Sequence, residues 1–163
     1  MRIRKAEISD LRELLDIYNY EVEHGVATLD LEPKTLDEWE KWFYNHNIDN
    51  HPLFVAEIDK HVAGYASLSS YREKEAYKST VELSIYVSVD YRKRGVATSL
   101  MEFILKEAKN DKSIHTVVSV ITSGNEASRK LHEKFGFEFC GTIKEVGMKF
   151  SKYRDIDNYR LGV

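Results

Sequence analysis

The stretch VELSIYVSVDYRKRGVAT, residues 81 to 98, limits what this chain can fold into. Val81, Leu83, Ile85, Val87 and Val89 alternate with Glu82, Ser84, Tyr86 and Ser88. That is the period of a strand with one apolar and one polar face. A basic, glycine-containing turn follows, Asp90–Gly95. Ala97, Met101, Ile104, Leu105 and Ala108 then recur at the spacing of a helix lying on a core. A strand, a turn and a helix in immediate succession commit this part of the chain to a sheet covered by helices.

The same stretch forms a surface suited to an anion. The first turn of a helix has unpaired N–H groups and the positive end of the helix dipole. Gly95 allows a tight turn and a close approach of backbone to ligand. Ala97 leaves the first helical turn uncrowded, and Arg92, Lys93 and Arg94 add positive charge. Such a loop suits a diphosphate, although a solvated basic turn has the same pattern. Neither a Walker loop nor a GxGxxG fingerprint is present, so nucleotide hydrolysis and dinucleotide binding are poor explanations.

The flanking sequence supplies the rest of an α/β sheet of mixed direction. Arg2–Ala6 reads as a short strand. Asp10 and Glu13 have capping-box spacing, ahead of Leu11, Leu14, Leu15, Tyr18 and Val22, and Gly25 ends that helix or the following turn. Thr35 and Glu38 form a second capping box, before a helix carrying Leu36, Trp39 and Phe43. The aromatic stripe Trp39, Trp42 and Phe43 reads as core and dimer packing. Phe54–Ile58 and Val62–Leu68, joined through Asp59–His61, read as a hairpin. Thr116–Ile121 is a β-branched strand. Asn125 caps a helix in which Ala127, Leu131 and Phe135 share a face and which Gly136 stops. The tail is β-rich and aromatic.

Nothing divides the 163 residues, so residues 1–163 read as one domain. With 24 Lys and Arg against 27 Asp and Glu, the formal charge of −3 argues against a nucleic-acid partner. No apolar run approaches the roughly 20 residues of a membrane span. The charged N-terminus, MRIRKAEISD, does not read as a secretory signal. Cys140 is the only cysteine, so no internal disulfide forms, which fits a cytoplasmic setting. The histidines lack metal-ligand spacing, and no metal site is expected.

Arg92-x-x-Gly95-x-Ala97 after VELSIYVSVDY resembles the acetyl-CoA signature of the GNAT N-acetyltransferases. NEASRKLHEKFGF, about 30 residues on, resembles the second cofactor-side motif of that superfamily. DIYNYEVEHGVATLDLEPKTLDEW, YREKEAYKSTVELSIYVS and EVGMKFSKYRDIDNYRL extend the likeness, to phosphinothricin-type N-acetyltransferases, from Arg2 to Leu161. The resemblance implies a mixed, mostly antiparallel sheet flanked by helices and splayed between two strands, with acetyl-CoA in the cleft. Backbone near Ile85, Tyr86 and Val87 would pair with the pantetheine arm. The loop from Arg92 through Lys93, Arg94, Gly95, Val96 and Ala97 to Thr98 would hold the diphosphate. Asn125 and Ser128 would contact the cofactor's far side. The subfamily is commonly homodimeric.

The implied reaction is direct acetyl transfer to a primary amine, which must first lose a proton. The resemblance places the catalytic base at Glu82, on the strand's polar face. Strand amides near Tyr86 are candidates to stabilise a developing oxyanion. His132 stands where many superfamily members have a tyrosine, and it reads either as an acid for the leaving thiolate or as a cofactor contact. Thr28, Arg72, Lys74 and Tyr77 are the candidate contacts for a small zwitterionic acceptor. Three positions depart from the subfamily pattern: Leu83 replaces a histidine, Lys74 replaces an arginine, and Tyr153 replaces a tryptophan. Two other readings stay open at this level: an N-acetyltransferase acting on protein or peptide, and a CoA-binding module without catalysis.

Overall fold

The computed structural model describes all 163 residues. Seven strands form one sheet in the order β1-β2-β3-β4-β5-β7-β6. They are β1 (Arg2–Lys5), β2 (Leu53–Ile58), β3 (His61–Ser70), β4 (Thr80–Val87), β5 (Thr116–Thr122), β6 (Glu138–Lys149) and β7 (Lys152–Gly162). The helices are α1 (Leu11–His24), α2 (Leu36–Tyr44), α3 (Val96–Asn110) and α4 (Glu126–Lys134). Every strand pair is antiparallel except β4–β5. The expected mixed, mostly antiparallel sheet flanked by helices is therefore present.

Alternation along β2 separates two cores. Phe54 and Ala56 face α3, joined by Ala66 and Leu68 of β3 and by Val81 and Leu83 of β4. Leu53, Val55 and Tyr65 face α1 and α2, against Leu14, Leu15, Tyr18 and Trp39. The apolar stripe of α3 is buried as its spacing predicts: Leu100, Met101 and Ile104 are inaccessible. Glu82, Ser84 and Tyr86 consequently lie on the α1/α2 side of β4.

Some local expectations shift. Asp10 is not a side-chain cap for α1. Its carboxylate accepts the Arg4 fork at 2.8 and 2.9 Å and the Glu7 N–H at 2.8 Å, so a short 3-10 turn precedes the helix. Burial would raise the Asp10 pKa, but the Arg4 and Glu7 hydrogen bonds outweigh it and hold the group below its ordinary range. Val89 falls in a 3-10 turn and is exposed, because β4 ends at Val87. In α4 the inward face is Leu131, His132 and Phe135, whereas Ala127 is exposed. The Thr35–Glu38 capping box forms in both directions, at 3.2 and 2.8 Å.

Gly64 of β3 shows how closely the sheet meets α3. A Cβ there would lie 2.8 Å from the Tyr86 carbonyl oxygen and 3.0 Å from a Val96 methyl. Backbone on one side and a helix on the other leave no room to yield. Gly64→Ala is expected to cost about 1–3 kcal/mol through overpacking, seen as a Tm several degrees lower in thermal unfolding.

Candidate active site

β4 and β5 pair at only three positions, Thr80–Thr116, Val81–Val117 and Glu82–Val118. Beyond Glu82 the two strands part company. β5 continues its pairing with β7, and β4 continues with β3 as far as Val87–Gly64. The β4 edge from Leu83 to Val87 therefore has no strand beside it, and backbone donors and acceptors there are open to a ligand. Ile85, Tyr86 and Val87 lie on this edge, half-buried.

The loop after β4 turns sharply into α3. Lys93 and Gly95 both take left-handed backbone, with φ of 59° and 79°. Gly95 is the N-cap, no side chain caps the helix, and the first turn has no acidic residue. The space beside Gly95 is open to at least 4 Å. Val96 is buried in the core and anchors the turn, while Ala97 and Thr98 are half-buried. The Arg94 guanidinium covers the Tyr91 ring. Arg92 turns back toward α1 and pairs with Glu21 at 2.5 Å, so its charge is already engaged. The anion-binding capacity of this loop is thus chiefly that of its backbone. A strand edge without a partner followed by an uncapped helix start fits a pantetheine arm and a diphosphate.

On the α1/α2 side of β4 lies a cavity of about 530 Å³. Glu82, Tyr86 and Thr28 meet in its wall, three of the residues singled out from sequence. The remaining wall was not anticipated: Tyr18 of α1, Trp39 and Trp42 of α2, Tyr65 of β3 and the polar groups around them. Five aromatic rings close a circuit. Tyr18 stacks on Trp39 at 4.4 Å and Trp39 on Trp42 at 4.2 Å. Trp42 meets Tyr65 at 5.8 Å, Tyr65 meets Tyr86 at 5.5 Å, and Tyr86 meets Tyr18 at 5.4 Å. Trp39 and Trp42 belong to the stripe read from sequence as packing, and they wall the cavity as well. The signal for this was an excess of aromatic residues on α1 and α2, which spacing alone does not distinguish from a core.

The cavity is acidic. Asp30, Glu38 and Glu82 line it against one cation, Lys34, whose ammonium sits 3.8 Å from Asp30. Tyr18 donates its hydroxyl hydrogen to Asp30, and its oxygen lies 3.0 Å from Thr28 Oγ1. Burial raises the Glu82 pKa above the ordinary carboxylate range. Ser69, opposite Glu82 in the β3–β4 register, contacts His46 Nε2 at 2.7 Å. His46 Nδ1 lies 2.8 Å from the Trp42 carbonyl and must be the protonated nitrogen, so Ser69 donates to Nε2. Burial keeps His46 neutral by lowering its pKa.

The other sequence candidates lie apart from the cavity. Arg72 and Lys74 are exposed, and the Arg72 guanidinium covers the rings of Tyr71 and Tyr77 in the loop before β4. Asn125 Oδ1 accepts the Ser128 N–H at 3.2 Å, so both residues serve the α4 cap. His132 is buried, with Nδ1 2.7 Å from the Ser128 carbonyl and Nε2 without a partner. Leu83 is packed beneath α3, on the face of β4 opposite Glu82. No three His, Cys, Asp or Glu side chains are grouped as metal ligands would be, and no helix is long and apolar enough to cross a membrane.

This geometry agrees with comparison to known proteins. Residues 10–137 match the acetyltransferase (GNAT) family model. A phosphinothricin N-acetyltransferase of Streptomyces coelicolor is 36% identical over 98% of this chain and 94% of its own length. An L-methionine sulfoximine/L-methionine sulfone acetyltransferase of Pseudomonas aeruginosa is 35% identical over 99% and 94%. Among solved structures, a ribosomal-protein-alanine N-acetyltransferase of Brucella melitensis superposes with a TM-score of 0.96 at 36% identity, covering both chains completely. A phosphinothricin acetyltransferase of Sinorhizobium meliloti in complex with acetyl-CoA superposes at 0.94 with 29% identity, over 99% of this chain and 88% of that one. The chain belongs to the GNAT family of acetyltransferases. It is an N-acetyltransferase, similar along its whole length to enzymes of the phosphinothricin type, and acetyl-CoA is its co-substrate.

Replacing Gly95 tests the loop. A valine there is strained at φ 79° and occupies space now open to a ligand. Gly95→Val is expected to weaken acetyl-CoA binding about tenfold or more, equivalent to about 1.4 kcal/mol, as measured by calorimetry.

Proposed function

We propose that this enzyme transfers acetyl directly from acetyl-CoA to the primary amine of a small amino-acid-like acceptor, with Glu82 as general base. The observation that carries this reading is the position of Glu82. It is the last residue at which β4 pairs with β5, so its carboxylate enters the cavity where the open strand edge begins. Bound acetyl-CoA supplies an acetyl carbon activated as a thioester. The edge at Ile85, Tyr86 and Val87 holds the pantetheine arm, and the amides from Lys93 to Thr98 hold the diphosphate.

The acceptor arrives as an ammonium, whose lone pair is occupied by a proton. Three carboxylates and five ring faces attract that cation. Glu82 accepts the proton, directly or through one water. Its raised pKa brings it closer to the amine's own and improves it as a base. CoA leaves as its thiolate, and of the two roles considered for His132 the neutral cofactor contact is favoured over the acid. The His132 Nδ1–H is committed to Ser128, and burial lowers its pKa, so Nε2 presents a lone pair at neutral pH.

A carboxylate must be ionised to accept a proton, so kcat/KM rises with pH through the Glu82 pKa. That acid limb is expected above the ordinary Glu value of about 4.3. Glu82→Gln is expected to remove the limb and lower the rate ~10²-fold or more while acetyl-CoA affinity is kept. An unchanged rate would remove Glu82 from the mechanism.

The identity with a ribosomal-protein-alanine N-acetyltransferase favours a second reading, a peptide acceptor. A cavity of about 530 Å³ lies within the size range of small-molecule pockets. Thiol release measured across amino acids and peptides separates the two, and turnover of peptides alone would overturn the first reading.

We also infer a homodimer formed through the β6–β7 hairpin. Phe139, Ile143, Met148, Phe150 and Tyr153 are each about half exposed on this hairpin, and β6 is an edge strand. Isolated apolar side chains are unremarkable on a surface, but a cluster on a free edge marks an interface. The double variant Ile143→Glu, Met148→Glu is expected to convert a dimer mass to a monomer mass in light scattering; a wild-type monomer would refute the assignment.

A further inference from the structure

The floor of the acceptor cavity is a row of cross-strand pairs on one face of β3 and β4: Tyr65 with Tyr86, Ser67 with Ser84, and Ser69 with Glu82. The Cβ atoms of such pairs stand about 4.5–5.5 Å apart. The Ser69 hydroxyl is thus the cross-strand neighbour of the Glu82 carboxylate.

A serine hydroxyl has one hydrogen and two lone pairs. The hydrogen of Ser69 is committed. It goes to His46 Nε2 at 2.7 Å, because His46 Nδ1 donates to the Trp42 carbonyl at 2.8 Å and leaves Nε2 as a lone pair. His46 is 6% exposed and its ring lies 4.5 Å from that of Trp42, so it has little freedom to turn. What Ser69, half-buried in the cavity wall, offers a ligand is therefore an acceptor oxygen. Glu82 beside it is an acceptor too, and burial is the cause of its raised pKa, with no hydrogen bond from the protein opposing it. Two adjacent acceptors with no donor between them suit a positive group carrying several hydrogens. A primary ammonium is such a group. The opposite orientation of Ser69 would be harmful. Its hydrogen turned toward Glu82 would stabilise the carboxylate, lower its pKa and make it a weaker base.

We propose that Ser69 accepts a hydrogen bond from the nitrogen to be acetylated, and that His46 is a positioning residue that keeps Ser69 in this orientation. The proposal rests on the reading of Glu82 as base and adds the group that holds the nitrogen while its proton leaves. The proton passes from nitrogen to the Glu82 carboxylate, directly or through one water. The N–H held by Ser69 stays intact, and the freed lone pair attacks the thioester carbon. The titratable groups around His46 are His51, from the loop before β2, and the Glu82 and Glu38 carboxylates of the cavity wall. Neutral His46 acts as described; once protonated, its Nε2 becomes a donor and turns the Ser69 hydrogen toward the cavity.

The test follows thiol release with phosphinothricin and with methionine sulfone as the amine, at saturating acetyl-CoA. Ser69→Ala is expected to lower kcat/KM about tenfold or more, the effect of a hydrogen bond to a charged group, mainly through KM for the amine. Ser69→Thr keeps the hydroxyl and is expected to recover most of the loss. His46→Phe keeps a ring against Trp42 but frees the Ser69 hydrogen. The acid limb of its kcat/KM profile is expected to move to lower pH, with a lower plateau, and adding Ser69→Ala is expected to return the limb to its wild-type position. Loss of packing alone would leave the limb in place. Nitrogen NMR of the wild-type imidazoles reads the tautomer without turnover, and an unprotonated His46 Nε2 is expected. A protonated Nε2 at neutral pH, an amine KM unchanged in Ser69→Ala, or a limb unmoved in His46→Phe each overturns the proposal. Should His46→Phe fold poorly, the wild-type spectrum and Ser69→Ala still decide. An unchanged rate in Glu82→Gln, or acetylation of neither amine, overturns instead the acetyl-transfer reading, and this proposal with it.

Discussion

The early end of the pairing between β4 and β5 is the constraint on which this site depends. Three registers hold the strands together, and from Glu82 onward β5 is engaged with β7 instead. An unpaired strand edge is normally a hazard, because it invites pairing with another chain. Here the edge sits inside the molecule at a cleft, and α3 begins one short loop beyond it. The same divergence puts open backbone on one side of β4 and the Glu82 carboxylate on the adjoining face. A sheet paired along its full length would have neither the edge nor the opening.

The acceptor side is assembled differently. It depends on side chains from α1, α2, β3 and β4 converging on one hole, and on ties that keep those elements in place. Glu21 of α1 holds Arg92 of the cofactor loop. Tyr18 of α1 holds Thr28 and Asp30 of the loop beyond it. His46 orients Ser69 across from Glu82. The Glu21–Arg92 tie spans much of the sequence and fastens the cofactor loop to the helix that carries Tyr18 of the acceptor cavity.

The parts of the fold legible in the sequence are those set by local periodicity. β4 with Glu82 on its polar face, the loop closing on Gly95, the buried stripe of α3 and the Thr35 cap each repeat over a few residues and occur as read. The cavity was less legible. Helical spacing places Trp39 and Trp42 on one face of α2, but a ring against a hole has the same spacing as a ring against protein. The circuit joining Tyr18 to Tyr86 exists only once four elements are packed. The splay is also invisible locally, because β4 alternates identically before and after its pairing with β5 ends. Asp10 and Ala127 show the limit of motif reading. A nearby Arg4 claimed the first for a salt bridge, and the sheet under α4 rotated the second outward.

Lys149, at the end of β6, is 2% exposed and has no carboxylate bonded to it. Its ammonium reaches the Thr28 carbonyl at 2.8 Å and the Glu21 carbonyl at 3.3 Å, while its own carbonyl receives the Arg154 guanidinium. A residue in the last hairpin thus works as a peg against the end of α1 and the segment that brings Thr28 to the pocket wall. The Thr28 side of the pocket is therefore held from outside its own segment, by the turn that joins the last two strands.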